Sequence, residues 1–255
     1  NRAATQRASI PVDAWVRAVG WSRRTCCMAG PQPDTSAVDI LSHGTILHGD
    51  LSLPTGAKGL VLFAHGSGSS RRSPRNRFVA EVLVHAGMAT LLFDLLTARE
   101  EAVDVHTREF RFNIPLLTRR LSGATGWVLQ QDRLARLPLG YFGASTGAAA
   151  ALAASCDWPE VVAIVSRGGR PDLAGETLPR VRAATLLVVG GDDDVVIDLN
   201  REALAQLECE AQLTIVPGAT HLFEEPGTLE QVADHAARWF TERFAMVGKG
   251  QRSDA

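Results

Sequence analysis

Three short stretches of this chain carry residue types whose spacing suits nucleophilic catalysis. The first is Gly143-Ala-Ser145-Thr-Gly147, a G-x-S-x-G pattern between a strand-like run and an alanine-rich helical one. A serine between two such elements sits on a very sharp turn. Glycines two residues to either side keep side chains from colliding there, and the helix that follows aims its first amides at the reaction centre. A turn of small residues that lets a helix pack closely would use the same glycines, but the strand–turn–helix context favours Ser145 as a nucleophile. A serine hydroxyl needs a base. His221 follows Pro217-Gly-Ala-Thr220, after the last strand-like run and before the final helical one. The acid should lie between them, where Leu186-Leu-Val-Val-Gly-Gly191 leads into Asp192, Asp193 and Asp194. One of the three would orient the imidazole while the other two make a solvated turn, and composition does not choose among them.

Acyl transfer also needs two amides aimed at the developing negative charge. The residue after the nucleophile, Thr146, supplies one. The Gly-Ser-rich loop His65-Gly-Ser-Gly68 supplies the other, with the Ser67 amide the choice. Such a loop could instead cradle phosphate, but it matches neither G-x-G-x-x-G nor the P-loop pattern. Arg71, Arg72, Arg75 and Arg77 cluster beside it, where a solvated helix face is the plainer reading than attraction of an anionic group. Asp94 either lines the site or caps a turn.

These residues need a scaffold, and the hydrophobic pattern supplies one. Ile46–Leu53 alternates like a half-buried strand, whereas 59–64 and Met88–Phe93 are continuous apolar runs, as in strands buried on both faces. Ser73-Pro74 opens a helix, with serine as cap and proline in the first turn, and Gly87 closes it. Leu139–Phe142, Val161–Val165, Thr185–Val189 and Leu213–Val216 read as further strands. Leu229, Val232, Ala233, Ala236, Trp239, Phe240 and Phe244 recur at helical spacing. Alternation of this kind predicts an α/β protein, with a mostly parallel central sheet and helices on both faces. Between Val165 and Thr185 there is room for a loop and one short helix, so no large cap domain is expected.

The chain has 255 residues, 45% hydrophobic and 21% charged, with a net charge of −2. That balance gives no reason to expect nucleic acid or an acidic membrane as a partner. Cys26, Cys27, Cys156 and Cys209 form no C-x-x-C pair and no zinc-ligand cluster, so no metal and no cofactor are expected. Without a long apolar run or signal-peptide pattern the expected location is cytoplasmic. Residues 1–37, rich in Arg, Ala and Ser and carrying Trp15 and Trp21, read as an appended segment. Residues 38–247 read as the catalytic domain and 248–255 as a polar tail.

Taken together, His65-Gly-Ser-Gly68, the Ser145 turn, Val188-Val-Gly-Gly-Asp-Asp-Asp-Val195 and Gly218-Ala-Thr-His-Leu-Phe223 resemble the dienelactone hydrolase-related branch of the α/β-hydrolase fold over residues 40–246. The look is nearest to small serine-type hydrolases that sometimes occur fused to phosphoribosyltransferase domains, although residues 1–37 carry no such signature. In that family the acid usually falls two or three residues before the hydrophobic pair ending its loop, so the resemblance favours Asp193 over Asp194. Dienelactone hydrolases proper have cysteine where this chain has Ser145, and serine points to ordinary carboxylic esters. The resemblance therefore implies a cofactor-free serine hydrolase acting on a small-molecule ester. A homodimer is left open as the only macromolecular partner. Thioesterase, lactonase, amidase or perhydrolase action on the same residues, or a non-catalytic binding module of this fold, are the rival expectations.

Overall fold

The computed structural model describes residues 33–253. Of the segment expected before residue 38, residues 1–32, with Trp15 and Trp21, lie outside the described residues, as do 254–255.

An eight-stranded sheet runs through the described chain in the order β1-β2-β4-β3-β5-β6-β7-β8. The strands are β1 (Asp34–Ser42), β2 (Thr45–Leu53), β3 (Leu60–Ala64), β4 (Ala89–Phe93), β5 (Leu139–Ala144), β6 (Val161–Arg167), β7 (Ala184–Gly190) and β8 (Ala211–Val216). The pairs β1–β2 and β2–β4 are antiparallel, and every pair from β4 through β8 is parallel. This is the α/β-hydrolase architecture expected, with no cap domain. Strand β1 was not anticipated. Its first four residues are exposed, and only Ile40 and Ser42 turn inward to be buried, so little apolar alternation marks it.

The apolar runs become strands buried on both faces. Every residue of β3, β4, β5 and β7 is buried. Each large aliphatic or aromatic side chain so placed contributes about 1.5–3 kcal/mol of transfer free energy. Among the described residues six α-helices surround the sheet: α1 (Pro74–His85), α2 (Ala98–Thr107), α3 (Ile114–Leu129), α4 (Thr146–Ser155), α5 (Asp194–Leu204) and α6 (Thr228–Ser253). The predicted cap is present, with Ser73 Oγ accepting the Asn76 amide and Pro74 in the first turn of α1. Helices α1 and α6 share one core with Phe63, Phe142 and Val188, while α3 and α4 share the other with Leu62, Leu91 and Tyr141. Nearly all of α4 is buried, because alanines let it lie close against the sheet.

Between β6 and β7 the chain forms a 3-10 segment over Pro171–Arg180 rather than one short α-helix. Pro179 and a kink at Gly175 (φ 52°) break the ladder an α-helix would need. The last helix runs to Ser253, into the stretch expected to be a polar tail. No helix among the described residues is long and apolar enough to cross a membrane. Cys156 and Cys209 are both free thiols.

Candidate active site

Ser67, Ser145, Thr146, Asp193 and His221 fall at the carboxyl-terminal rim of the parallel strands. Ser145 follows β5 directly and precedes the first residue of α4. Its φ of 50° and ψ of −121° lie where a side chain is strained. The turn is held by neighbouring backbone, since the Ser145 amide donates to the Arg167 carbonyl (3.3 Å) and the Arg170 amide donates to the Ser145 carbonyl (3.1 Å). A serine in an N-cap position ordinarily spends its hydroxyl on the helix amides, but Ser145 Oγ makes no cap hydrogen bond. Between Tyr141 and Ala150 it is the one residue not fully buried.

Of the three aspartates after β7, Asp193 meets the histidine. Its Oδ2 lies 2.7 Å from His221 Nδ1. Asp192 and Asp194 are exposed, and Asp194 instead opens α5. With Asp193 ionised and able only to accept, Nδ1–H is the donor, which leaves Nε2 as the lone-pair nitrogen. The His221 turn is braced by Glu225, whose carboxylate accepts the Thr220 amide (3.0 Å) and hydroxyl (2.7 Å). Those bonds, the hydroxyl one first, hold the Glu225 carboxyl below the usual range. Two residues past His221, buried Phe223 adopts φ 55°. Among the described residues Ser145 Oγ makes no hydrogen bond to His221. The Arg167–Gly168 segment joins them, because a Cβ at Gly168 would lie 3.6 Å from His221 Cε1. Catalytic hydrogen bonds are commonly long until substrate is bound.

Facing the nucleophile, the loop after β3 brings Ser67 to α4, and Ser67 Oγ lies 3.1 Å from Thr146 Oγ1. Neither the Ser67 nor the Thr146 amide has a hydrogen-bond partner among the described residues. The contact is close because Gly147 has no side chain: a Cβ there would sit 2.1 Å from the Ala64 carbonyl oxygen and 2.6 Å from that of His65. His65 itself is buried, with Nδ1 donating to the Gly66 carbonyl (3.0 Å) and Nε2 accepting the Leu95 amide (2.9 Å). Burial lowers its pKa, against smaller raising effects of the Gly66 bond and Asp94. It is therefore neutral and ties the loop after β3 to the one after β4. Asp94 fastens the same two loops, accepting the Arg71 amide (2.8 Å) and pairing with the Arg71 guanidinium. Of the basic cluster, Arg71 and Arg75 are thus engaged, Arg75 with Glu224 at 3.2 Å, while Arg72 and Arg77 are solvated.

A cleft open to solvent lies along this loop between residues 65–69, Leu96, Arg111, Leu117 and Thr146. Arg111 is one of the residues the sequence reading missed. Fully buried Asp104 fixes it, accepting the Arg111 Nε–H (2.6 Å) and the amides of Phe110 (2.7 Å) and Arg111 (2.9 Å). Burial alone would raise the Asp104 pKa, but these bonds and the Arg111 charge outweigh it and hold it below the usual range. Among the described residues no cluster of potential ligands could hold a metal ion.

No family model matches the chain. Over 221 residues, 86% of its length, it is 55% identical to two Mycobacterium tuberculosis proteins, each named "Putative phosphoribosyl transferase". The chain spans about half the length of these curated relatives (49%). A crystal structure of dienelactone hydrolase from Anabaena variabilis superposes with a TM-score of 0.82 at 56% identity, covering 83% of this chain and 99% of that one. The Est1E structure from Butyrivibrio proteoclasticus has a TM-score of 0.68 at 17% identity, covering 82% and 99%, a likeness of fold alone.

Proposed function

Since the chain belongs to the dienelactone hydrolase family of α/β-hydrolases, we propose that it hydrolyses short-chain carboxylic esters through an acyl-enzyme on Ser145, His221 and Asp193. The observation that carries this reading is the 2.7 Å bond from His221 to Asp193 beside a strained serine whose hydroxyl caps nothing. In this mechanism Ser145 Oγ attacks the ester carbonyl while its proton passes to His221 Nε2. The negative charge that develops on the carbonyl oxygen is met by the free amides of Ser67 and Thr146. His221 then protonates the leaving alcohol, and Asp193 stabilises the transient imidazolium. Water, deprotonated by the same nitrogen, releases the acid.

One feature supports small substrates. The 3-10 segment stands where a cap would be inserted, and at 10 residues it is too short to form one. Each added methylene gains roughly 0.8 kcal/mol only while there is surface to bury it, so preference should level off between acetate and hexanoate esters. A second reading, attack on a cyclic ester, is favoured by the name of the Anabaena relative. The mycobacterial relatives' name describes proteins about twice as long.

The test is a Ser145→Ala variant assayed on ester, thioester and lactone series. The expected result is a fall in kcat on the order of 10³-fold or more with unfolding unchanged. A folded Ser145→Ala protein that still turns over esters would remove the covalent mechanism. A kcat/KM that keeps rising to long-chain esters would remove the open, capless mouth.

A further inference from the structure

Arg167, the last residue of β6, is only 7% exposed, and its Nε is buried without a partner. The other well-covered arginines all have a carboxylate at hand: Arg71 has Asp94, Arg111 has Asp104, Arg120 has Glu100 and Arg243 has Glu210. Among the described residues, no hydrogen bond or ion pair reaches any Arg167 guanidinium nitrogen. The guanidinium lies beside the Phe223 ring, 5.9 Å from Cζ to the centroid and so near the limit of a useful cation–π contact. A second cation, Arg75, is held at the residue after Phe223, its Nη1 3.2 Å from Glu224 Oε1. Burial first, and Arg75 second, push the Arg167 pKa down to about 10, which leaves it charged at neutral pH.

Burying a cation without a counterion is unfavourable, so a bound anion would relieve an existing penalty. The surroundings suit one. Arg75 lies in the first turn of α1, a turn with no acidic residue and with the Arg75 amide unused. Among the described residues Arg75 pairs with one carboxylate, Glu224, whose side chain is largely exposed, and no carboxylate pairs with Arg167. Donors on β6 and on α1 approach from different elements, together with a helix N-terminus. A tetrahedral group bearing close to two charges answers that arrangement better than a planar carboxylate, which one guanidinium saturates. The place adjoins the reaction centre, because the Arg167 carbonyl accepts the Ser145 amide and Gly168 abuts His221.

We infer that Arg167 and Arg75 form a phosphate-binding subsite beside the triad and that the ester cleaved carries a phosphate group. The second half of this inference rests on the hydrolase reading above, whereas the first does not.

Calorimetric titration of inorganic phosphate at constant ionic strength into wild type, Arg167→Gln and Arg75→Gln tests the subsite. It is paired with inhibition of an uncharged acetate ester and with kcat/KM for an acetate ester of glycerol phosphate. The expected results are phosphate binding that competes with the uncharged ester, and affinity about tenfold weaker in each variant. The preference for the phosphate-bearing over the uncharged ester should fall in parallel. Arg75 is one-third exposed, so its variant keeps the test open if Arg167→Gln does not fold. No phosphate binding at tens of millimolar, equal binding of acetate, or unchanged affinity in both variants would overturn the subsite. If phosphate binds and both variants weaken it while no ester is turned over, the subsite stands and the hydrolase reading falls.

Discussion

Gly147→Ala puts the geometry of the nucleophile turn under direct strain. The added methyl carbon would lie 2.1 Å from the Ala64 oxygen and 2.6 Å from the His65 oxygen. Both obstacles are backbone, and Ala64 is the last residue of β3, in register with Gly143 of β5. Relief therefore requires α4 to move away from the loop after β3 by roughly 1 Å, a displacement that at a reaction centre costs about 10²-fold. Overpacking of this kind destabilises by about 1–3 kcal/mol, which leaves a domain of this size folded. The same shift parts the Ser67 and Thr146 hydroxyls, now 3.1 Å apart, and with them the two amides assigned to the oxyanion. Steady-state kinetics on an acetate ester should show kcat down about 10²-fold with KM little changed, while thermal unfolding shows a folded protein. Gly147→Ala with the kcat of the wild type would refute the argument that Gly147 sets the spacing of the oxyanion donors.

Two other perturbations check the remaining supports. Asp193→Asn should depress kcat far more than Asp192→Asn or Asp194→Asn, because only Asp193 reaches His221; a crippled Asp194→Asn enzyme would show the register to be wrong by one residue. His65 binds protons less readily in the folded than in the unfolded chain, so its contribution to stability is complete above the ordinary value of 6.5 and is lost as pH falls from there towards the lower folded-state value. Calorimetric melts from pH 8 to 5 should show wild type losing stability in that window more steeply than His65→Gln, and parallel slopes would contradict a neutral buried His65.

Much of this architecture could be read from the chain because its signals are local. Residues 59–64 and Met88–Phe93 show continuous apolar runs, and the Ser73-Pro74 start and the alternation of strand with helix follow directly from burial. That Ser145, an aspartate after β7 and His221 come to one rim was legible for a related reason: in a parallel sheet, loops at the carboxyl ends converge, so order along the chain translates into proximity. The choice of Asp193 among the three came only from the family resemblance. What escaped notice was either weakly patterned or non-local. Helix α5 was hidden behind three aspartates that look like a solvated turn, although Val196, Ile197, Asn200 and Ala203 recur with helical period. The Thr97–Glu100 capping box and Asn113 before Pro115 mark α2 and α3, but the polar sequence between them obscures the pattern. The bonds His65 makes to the Gly66 carbonyl and the Leu95 amide, the Asp104–Arg111 pair and the isolation of Arg167 carry no sequence signature. Each depends on which groups the fold leaves nearby.

The order of strands in the sheet has a kinetic consequence. β3 lies between β4 and β5, so the hydroxyls of Ser67 and Thr146 meet across 79 residues of chain, and Asp193 meets His221 across a further 28. Loops of such length close late and at an entropic cost that no local contact offsets, and parallel pairing is slow for the same reason. The reaction centre should therefore form only once these long-range pairings are made. Helical signal can return early in refolding while catalysis waits for β3, β5, β6 and β7 to come into register. On the proposed mechanism, a single cut between β5 and β7 should abolish turnover while leaving much of the secondary structure, so that ester cleavage would report on the whole sheet rather than on the serine.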